Sequence, residues 1–298
     1  MKNFYIKLSI FIFINVLVLV GLLSFSFYSD KKLTFENWET ESSLFVMHQN
    51  EHYDVMIMGN SHGRQFSRGS NHKYFEEKTG KKMINVARGL GGGGITNMLI
   101  NLEYFYQKNN AVDTILYFID PYVFYYEEWN EASVFLDNEP LDPLYFELCL
   151  ENHISKNALV NYVRTKFSDE WLGKEKMEYH FNSLTKIDDE AVAKRLHTLY
   201  MRPPQEKDFL KYAARLEKLI QLSSIKQTHI AFILPPTLLG EQPQTKRLLT
   251  FLQQMQNKYG ISYFNHYDKV KEPGMFTDHD HLNEAGAKFY INFLTTSI

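Results

Sequence analysis

Two short stretches near opposite ends of the chain hold residue types that do chemistry together. The first is "GNSHGR", residues 59–64, where Ser61 follows an apolar run. The second is "TDHDHLN", residues 277–283, which gathers Asp278, His279, Asp280 and His281. A serine hydroxyl is a weak nucleophile until a base takes its proton, and the usual base is a histidine held in one tautomer by a carboxylate. Asp278 and His281 are three residues apart, so a single turn can present both on one side. Ser61 also suits a plainer role. Strand-to-helix turns favour serine as a helix N-cap, and there its hydroxyl would only hold backbone N–H groups.

Other candidates surround these. Asn60 and Asn85 carry polar groups able to face a substrate, His62 suits either a place facing the substrate or one supporting the residues that do, and Arg64 can meet an anion. "RGLGGGG" (88–94) places glycines at 89, 91, 92, 93 and 94, which lets the backbone approach a ligand closely. No G-K-[ST] follows them and no dinucleotide fingerprint is in frame, so no cofactor is expected. A zinc reading of the D-H-D-H cluster would use His279, His281 and a carboxylate, with His62 as the outside ligand. Ligand spacing elsewhere in the chain is poor, so no metal is assigned.

The elements that must position these groups are legible. Five strand-length apolar runs occur at 53–59, 82–87, 113–120, 228–234 and 261–265. Most lack in-out alternation, as expected of central parallel strands covered on both faces. Helical spacing runs through 94–109 (Ile95, Met98, Leu99, Leu102, Tyr106) and 206–224 (Phe209, Leu210, Ala213, Leu216, Leu219). It recurs in 244–260 and 283–296. Strands alternating with helices predict an α/β fold with a parallel sheet and right-handed crossovers. Ligands bind such sheets outside the carboxyl ends of the strands, and Ser61 follows the first strand there. Residues 121–205 break the alternation and predict one helical or irregular insertion over those strand ends. Trp129, Trp171 and its tyrosines suit either a sugar platform or a small satellite core.

Residues 8–28 carry no charge and follow Lys2 and Lys7. That is long enough to cross a bilayer, and the leading lysines favour a cytoplasmic N-terminus, although Lys31 and Lys32 blunt the signal. A cleaved signal with Ser24 and Ser26 near the cut is the rival reading. An uncleaved anchor at 1–28, a polar stalk at 29–52 and one domain at 53–298 are expected, with the domain outside the cytoplasm. Cys149 is the only cysteine, so no intramolecular disulfide forms. The formal net charge of −3 gives no basic field for nucleic acid. Aromatic residues make up 15% of the chain, which suits sugar or apolar surfaces as well as core filling.

Taken together, "GNSH", "INVARGLGGGG" and "DHDHLN" resemble the blocks of the SGNH/GDSL hydrolase superfamily over about residues 53–298, with the insertion excepted. The resemblance is closest to its membrane-anchored cell-envelope branch, which includes proteins of exopolysaccharide O-acetylation and teichoic acid D-alanylation. It implies a flavodoxin-like α/β/α sandwich around a five-stranded parallel sheet, with Ser61 as nucleophile, His281 as base and Asp278 as its orienter. A loop glycine, Gly91 or else Gly89, would donate its N–H to the oxyanion. The implied activity is acyl transfer, acetyl above all, to or from an envelope glycan. The implied partner is a multispanning membrane acyltransferase that supplies the acyl group. The third block departs from the pattern: where the family carries G-x-N-D, this chain reads Asp120-Pro121. A carboxylate cannot donate to an oxyanion unless protonated, and losing one such donor costs about 10²–10³ in rate. Asn60, Asn85 or the glycine loop are candidates to replace it. The missing Asn also keeps a rival open, a non-catalytic scaffold on the same fold, which the intact Ser, Asp and His oppose.

Overall fold

The computed structural model describes residues 2–30, 33–89, 91–131, 134–167, 176, 179 and 182–297. The chain begins with α1 (Lys2–Asp30), whose span Lys2–Tyr28 is long and apolar enough to cross a membrane. Strand β1 (His52–Gly59), α2 (Ser61–Arg64), α3 (Asn71–Thr79), β2 (Met83–Asn85), α4 (Ile95–Gln107) and β3 (Ala111–Phe118) follow. The insertion then supplies α5 (Val134–Asp137), α6 (Pro143–Glu151), α7 (Lys156–Thr165) and α8 (Asp189–Leu199). The chain closes with α9 (Glu206–Ile225), β4 (His229–Leu234), α10 (Thr245–Tyr259), β5 (Ser262–Asn265) and α11 (Glu284–Ser297).

The five strands form one parallel sheet in the order β2-β1-β3-β4-β5. This is the flavodoxin-like order, whose ligand crevice opens between β1 and β3. Alternate residues of each inner strand enter different cores. Met56, Met58, Ile115, Tyr117, Ile230 and Phe232 pack with α4, α9 and α10 on one face. Ile57, Leu116, Phe118, Ala231 and Ile233 pack with α3 and α11 on the other. Both faces are dry, so the runs read as continuously apolar.

Strand β2 is shorter than its apolar run. Beyond Asn85 the chain bends away, yet Val86 and Arg88 still donate N–H groups to the Ile57 and Gly59 carbonyls. Strand β3 ends at Phe118, two residues earlier than expected, and leaves Asp120 buried beneath the crevice. Gly59 closes β1 with φ +103, where a Cβ would strike the Phe118 carbonyl, so only glycine makes this turn.

The segment read as a stalk is corrected by the structure. Residues 35–47 lie against the domain, with Asn37, Thr40, Ser42, Ser43, Leu44, Phe45, Val46 and Met47 buried. Nothing periodic announces this, because the segment is held by side chains bonding backbone. Asn37 pairs both ways with the Asn85 backbone, at 2.6 and 2.8 Å, and so covers the free edge of β2. Glu139 accepts from Ser42 Oγ (2.6 Å), Ser43 N (2.7 Å) and Leu44 N (2.9 Å).

Among its described residues the insertion has no sheet strand. It divides in two: α6 packs on α4, while residues 122–129 and α8 rim the strand ends. Trp171 lies outside the described residues, as do Lys31 and Lys32.

Glu139 is the main tether of residues 35–47, so Glu139→Ala leaves three donors without a partner. Urea unfolding should show a loss of about 2–3 kcal/mol, the cost of orphaned buried donors. Residues 35–47 should also become the first site of limited proteolysis. Wild-type stability and cleavage would contradict the assignment.

Candidate active site

Asn60 is the N-cap of α2: its Oδ1 accepts from the His62 N–H at 3.1 Å. Capping therefore does not use Ser61, whose hydroxyl is left to face the crevice. At the other end of the chain, Asp278 folds its own loop. Its Oδ1 accepts from the Asp280 and His281 N–H groups, both at 2.8 Å, an Asx-type turn that fixes the His281 backbone. Asn283 then caps α11 by accepting from Gly286 N at 3.0 Å, and anchors the loop by donating to the Gly274 carbonyl at 2.8 Å.

These two local structures meet. Ser61 Oγ lies 2.7 Å from His281 Nε2, across 220 positions of sequence. His281 Nδ1 lies 3.0 Å from both Asp278 oxygens. Burial would raise the Asp278 carboxyl, but the His281 bond and charge and the two backbone amides outweigh it and hold it at about 2. An ionised carboxylate only accepts, so Nδ1 carries the proton and Nε2 presents its lone pair to the Ser61 hydroxyl. A hydroxyl in that setting can lose its proton to the ring as it attacks a carbonyl.

A cleft of about 380 Å³ opens over Ser61, lined by Arg68, Arg88, Tyr122, Trp129, Arg195 and the glycine loop, together with Asp278 and His281. The loop lies directly against the strand end: a Cβ at Gly93 would meet Asn60 Cα at 2.5 Å. Gly89 is the glycine beside the hydroxyl, since a Cβ there would stand 3.6 Å from Ser61 Cβ. Gly91 also lines the cleft, with φ +84, and its carbonyl accepts from Asn97 at 2.8 Å.

Several expected roles fail. Arg64 is fully buried and bonds Glu41, the Asn37 and Thr40 carbonyls, and Ser67, so it holds residues 37–41 and meets no substrate. Asn85 donates to the Gly63 carbonyl at 2.8 Å and accepts from Ala87 N, and it is fully buried outside the cleft lining. Asn60 Nδ2 is committed to Asp120 Oδ2 (2.7 Å) and Tyr122 Oη (3.3 Å). His279 faces away from His281, with Nε2 accepting from Asp188 N at 2.9 Å.

His62 is buried behind the pair rather than facing the cleft. Its ring stacks on His281 at 5.0 Å between centroids. Its Nε2 lies 3.3 Å from Asp120 Oδ2 and 3.3 Å from Asp280 Oδ1. Burial opposes charge on His62, but the two carboxylates win and raise its affinity for a proton. The Asp280 carboxyl is held far below its ordinary value against burial by His62, His281 and Arg195, whose Nη2 lies 2.6 Å away. Burial raises Asp120, which also accepts from Gln242 at 3.0 Å. His62, Asp280 and His281 bring ligand-type atoms within 4.8 Å of one another, but both ring nitrogens of His281 are already engaged by Ser61 and Asp278.

The sequence reading missed Arg88 and Arg195. Arg88 sits inside the glycine block with no partner pattern to distinguish it from Arg64, and nothing in the insertion marks Arg195. Trp129 does reach the cleft, edge-on to Tyr122 at 5.6 Å, and its Nε1 is buried without a partner.

No family model and no curated protein matches this chain. Solved structures do match. One is the crystal structure of a candidate acylhydrolase from Bacteroides fragilis NCTC 9343, with 10% identity over 86% of this chain and 91% of that chain. Its TM-score of 0.41 is too low to carry an argument about function.

The Asp278 carboxyl binds its proton more weakly in the folded chain than its ordinary value of 3.8, so it adds stability above 3.8 that is lost as pH falls toward about 2. Asp278→Asn should remove that component. Its thermal midpoint should change less between pH 4 and pH 2 than that of the wild type. Identical acid limbs would mean that the carboxylate is not held as described.

Proposed function

We propose that this chain is an extracytoplasmic, membrane-anchored enzyme of the SGNH type that transfers an acyl group, acetyl above all, to or from a cell-envelope or exopolysaccharide glycan. The observation that carries the reading is the line of hydrogen bonds from Ser61 through His281 to Asp278. Ser61 Oγ attacks the acyl carbonyl while His281 Nε2 takes its proton, and the Asp278 carboxylate stabilises the imidazolium. The Ser61 and Gly89 N–H groups hold the oxyanion, with Gly91 as the second glycine candidate. As the intermediate collapses, His281 returns the proton to the leaving oxygen and an acyl-serine remains. A sugar hydroxyl then attacks the acyl carbon, giving its proton to His281, which returns it to Ser61 Oγ as the bond from Oγ to the acyl carbon breaks.

Asp120 takes no part in the oxyanion hole. The residue that elsewhere supplies the Asn donor here ties Asn60, Gln242 and His62 beneath the site. One oxyanion donor fewer lowers the rate toward simple esters, which suits an enzyme whose acceptor is bound rather than bulk water. Trp129 and Tyr122 offer aromatic faces for a sugar, and the unpartnered Trp129 N–H can donate to a hydroxyl. The N-terminal span would place the domain at the outer face. A single span cannot move an acyl group across the membrane, so a multispanning acyltransferase partner would deliver it.

A carbohydrate esterase is the second reading. It is favoured by the openness of the acid side, where the Asp278 side chain is 55% exposed and water can reach an acyl-serine. The two are separated by incubating the full-length protein with an activated acetyl ester and an oligosaccharide. A transferase makes acetylated sugar; an esterase makes acetate alone.

Treatment with a fluorophosphonate tests the shared step. Mass spectrometry should find the label on Ser61 and lose it in His281→Ala, and Asp278→Asn should lower the labelling rate by about 10²–10⁴. A folded protein that takes no label would be a non-catalytic scaffold.

A further inference from the structure

One arginine lining the cleft beside Ser61 is only partly paired among the described residues. Arg88 is 5% exposed, and its Nη1 donates to the Asn85 and Ala87 carbonyls at 3.2 and 2.7 Å. Its Nε and Nη2 are buried with no hydrogen-bond acceptor among the described residues. Burying such donors unpaired is costly, and a guanidinium presents them as a fork that fits an oxyanion.

The nearby carboxylates are already spoken for. Glu41 accepts from Arg64, Arg68 and Tyr179, and Glu139 accepts from Ser42, Ser43 and Leu44. Among the described residues, three arginines, 64, 68 and 88, therefore share two glutamates, which leaves one positive charge in excess beside the cleft. Burial and the neighbouring Arg64 weaken the hold of Arg88 on its proton, yet only down to about 10, so it remains a cation at neutral pH. Arg68 lines the same cleft with its guanidinium over the Tyr179 ring at 4.9 Å, and its Nε is also buried without an acceptor. The residue after Arg88 is Gly89, which lies against Ser61, so Arg88 and Ser61 line the same cleft.

We propose that Arg88 and Arg68 form an anion subsite that binds a carboxylate or phosphate group on the substrate next to the acyl group attacked by Ser61. The inference rests on the acyl-transfer reading for the meaning of the neighbouring hydroxyl, and it narrows the substrate class to acidic glycans, either uronate-containing or phosphate-bearing. The fork, placed on a rigid loop, fixes the register of the charged sugar relative to Ser61.

Binding to the full-length Ser61→Ala protein in detergent separates this inference from the chemistry. Galacturonate, galactose phosphate and galactose form a matched series for calorimetric titration. At least one charged sugar should bind about tenfold or more tighter than galactose, the effect of one charge-assisted contact. The preferred charged sugar identifies carboxylate or phosphate as the natural group. Arg88→Gln and Arg68→Gln, each made in the Ser61→Ala protein and checked by thermal melting, should each reduce that preference, and Arg88→Lys should restore part of it. Equal affinity for all three sugars in the parent would overturn the subsite without recourse to any variant. A charge preference that survives both glutamine substitutions in folded protein would overturn it as well. Loss of acylation at Ser61 in the wild type with the charge preference intact would count against the acyl-transfer reading alone.

Discussion

The hydrogen bond between Ser61 and His281 is possible only because a parallel sheet delivers every strand end to the same edge. β1 presents its following turn there, and the loop before α11 returns to the same edge after the sheet is complete. Neither group is placed by its own element alone. Gly59 makes the turn that exposes Ser61, and Asp278 wraps its own loop so that the imidazole points inward. Disturbing the β1–β3 pairing would move Ser61 away from a base fixed on the opposite side of the crevice.

Behind that bond lies a buried layer of charge. His62 stacks on His281 while its Nε2 stands between Asp120 and Asp280, and Arg195 reaches in from the insertion to Asp280. Asp120, which follows β3, is part of this layer. A carboxylate there can only accept, and it does so from Asn60, which in turn caps α2 through its other amide atom. Asp120 and Asn60 thus form a network that fixes the start of α2. Two elements far apart in sequence, the insertion and the histidine loop, are tied together by the Arg195–Asp280 pair.

The alternation of apolar runs with helical spacing was enough to read the sheet, because both faces are covered and the two periodicities differ. Helices 95–107, 206–225, 245–259 and 284–297 fall within a few residues of their expected spans. Ser61, Asp278 and His281 were legible because their spacing implies chemistry. The rest depends on contacts that leave no local pattern. Residues 35–47 are buried through individual side-chain-to-backbone bonds, and the sequence looks merely polar. Arg64 and Arg88 differ in what surrounds them: one has Glu41 and four further oxygen partners, whereas the other has two carbonyls and a place in the cleft lining. Asn60 and Ser61 both suit an N-cap by type, and only the three-dimensional turn decides between them.

The central claim is that Ser61 carries the acyl group and His281 makes it do so. Intact-protein and peptide mass spectrometry, after brief mixing of the full-length chain with an activated acetyl ester and an acid quench, tests it directly. The account predicts one acetyl group on Ser61 within the first turnover, absent from His281→Ala. Acetylation scattered over surface lysines, or on Ser61 at the same rate without the imidazole, would contradict it.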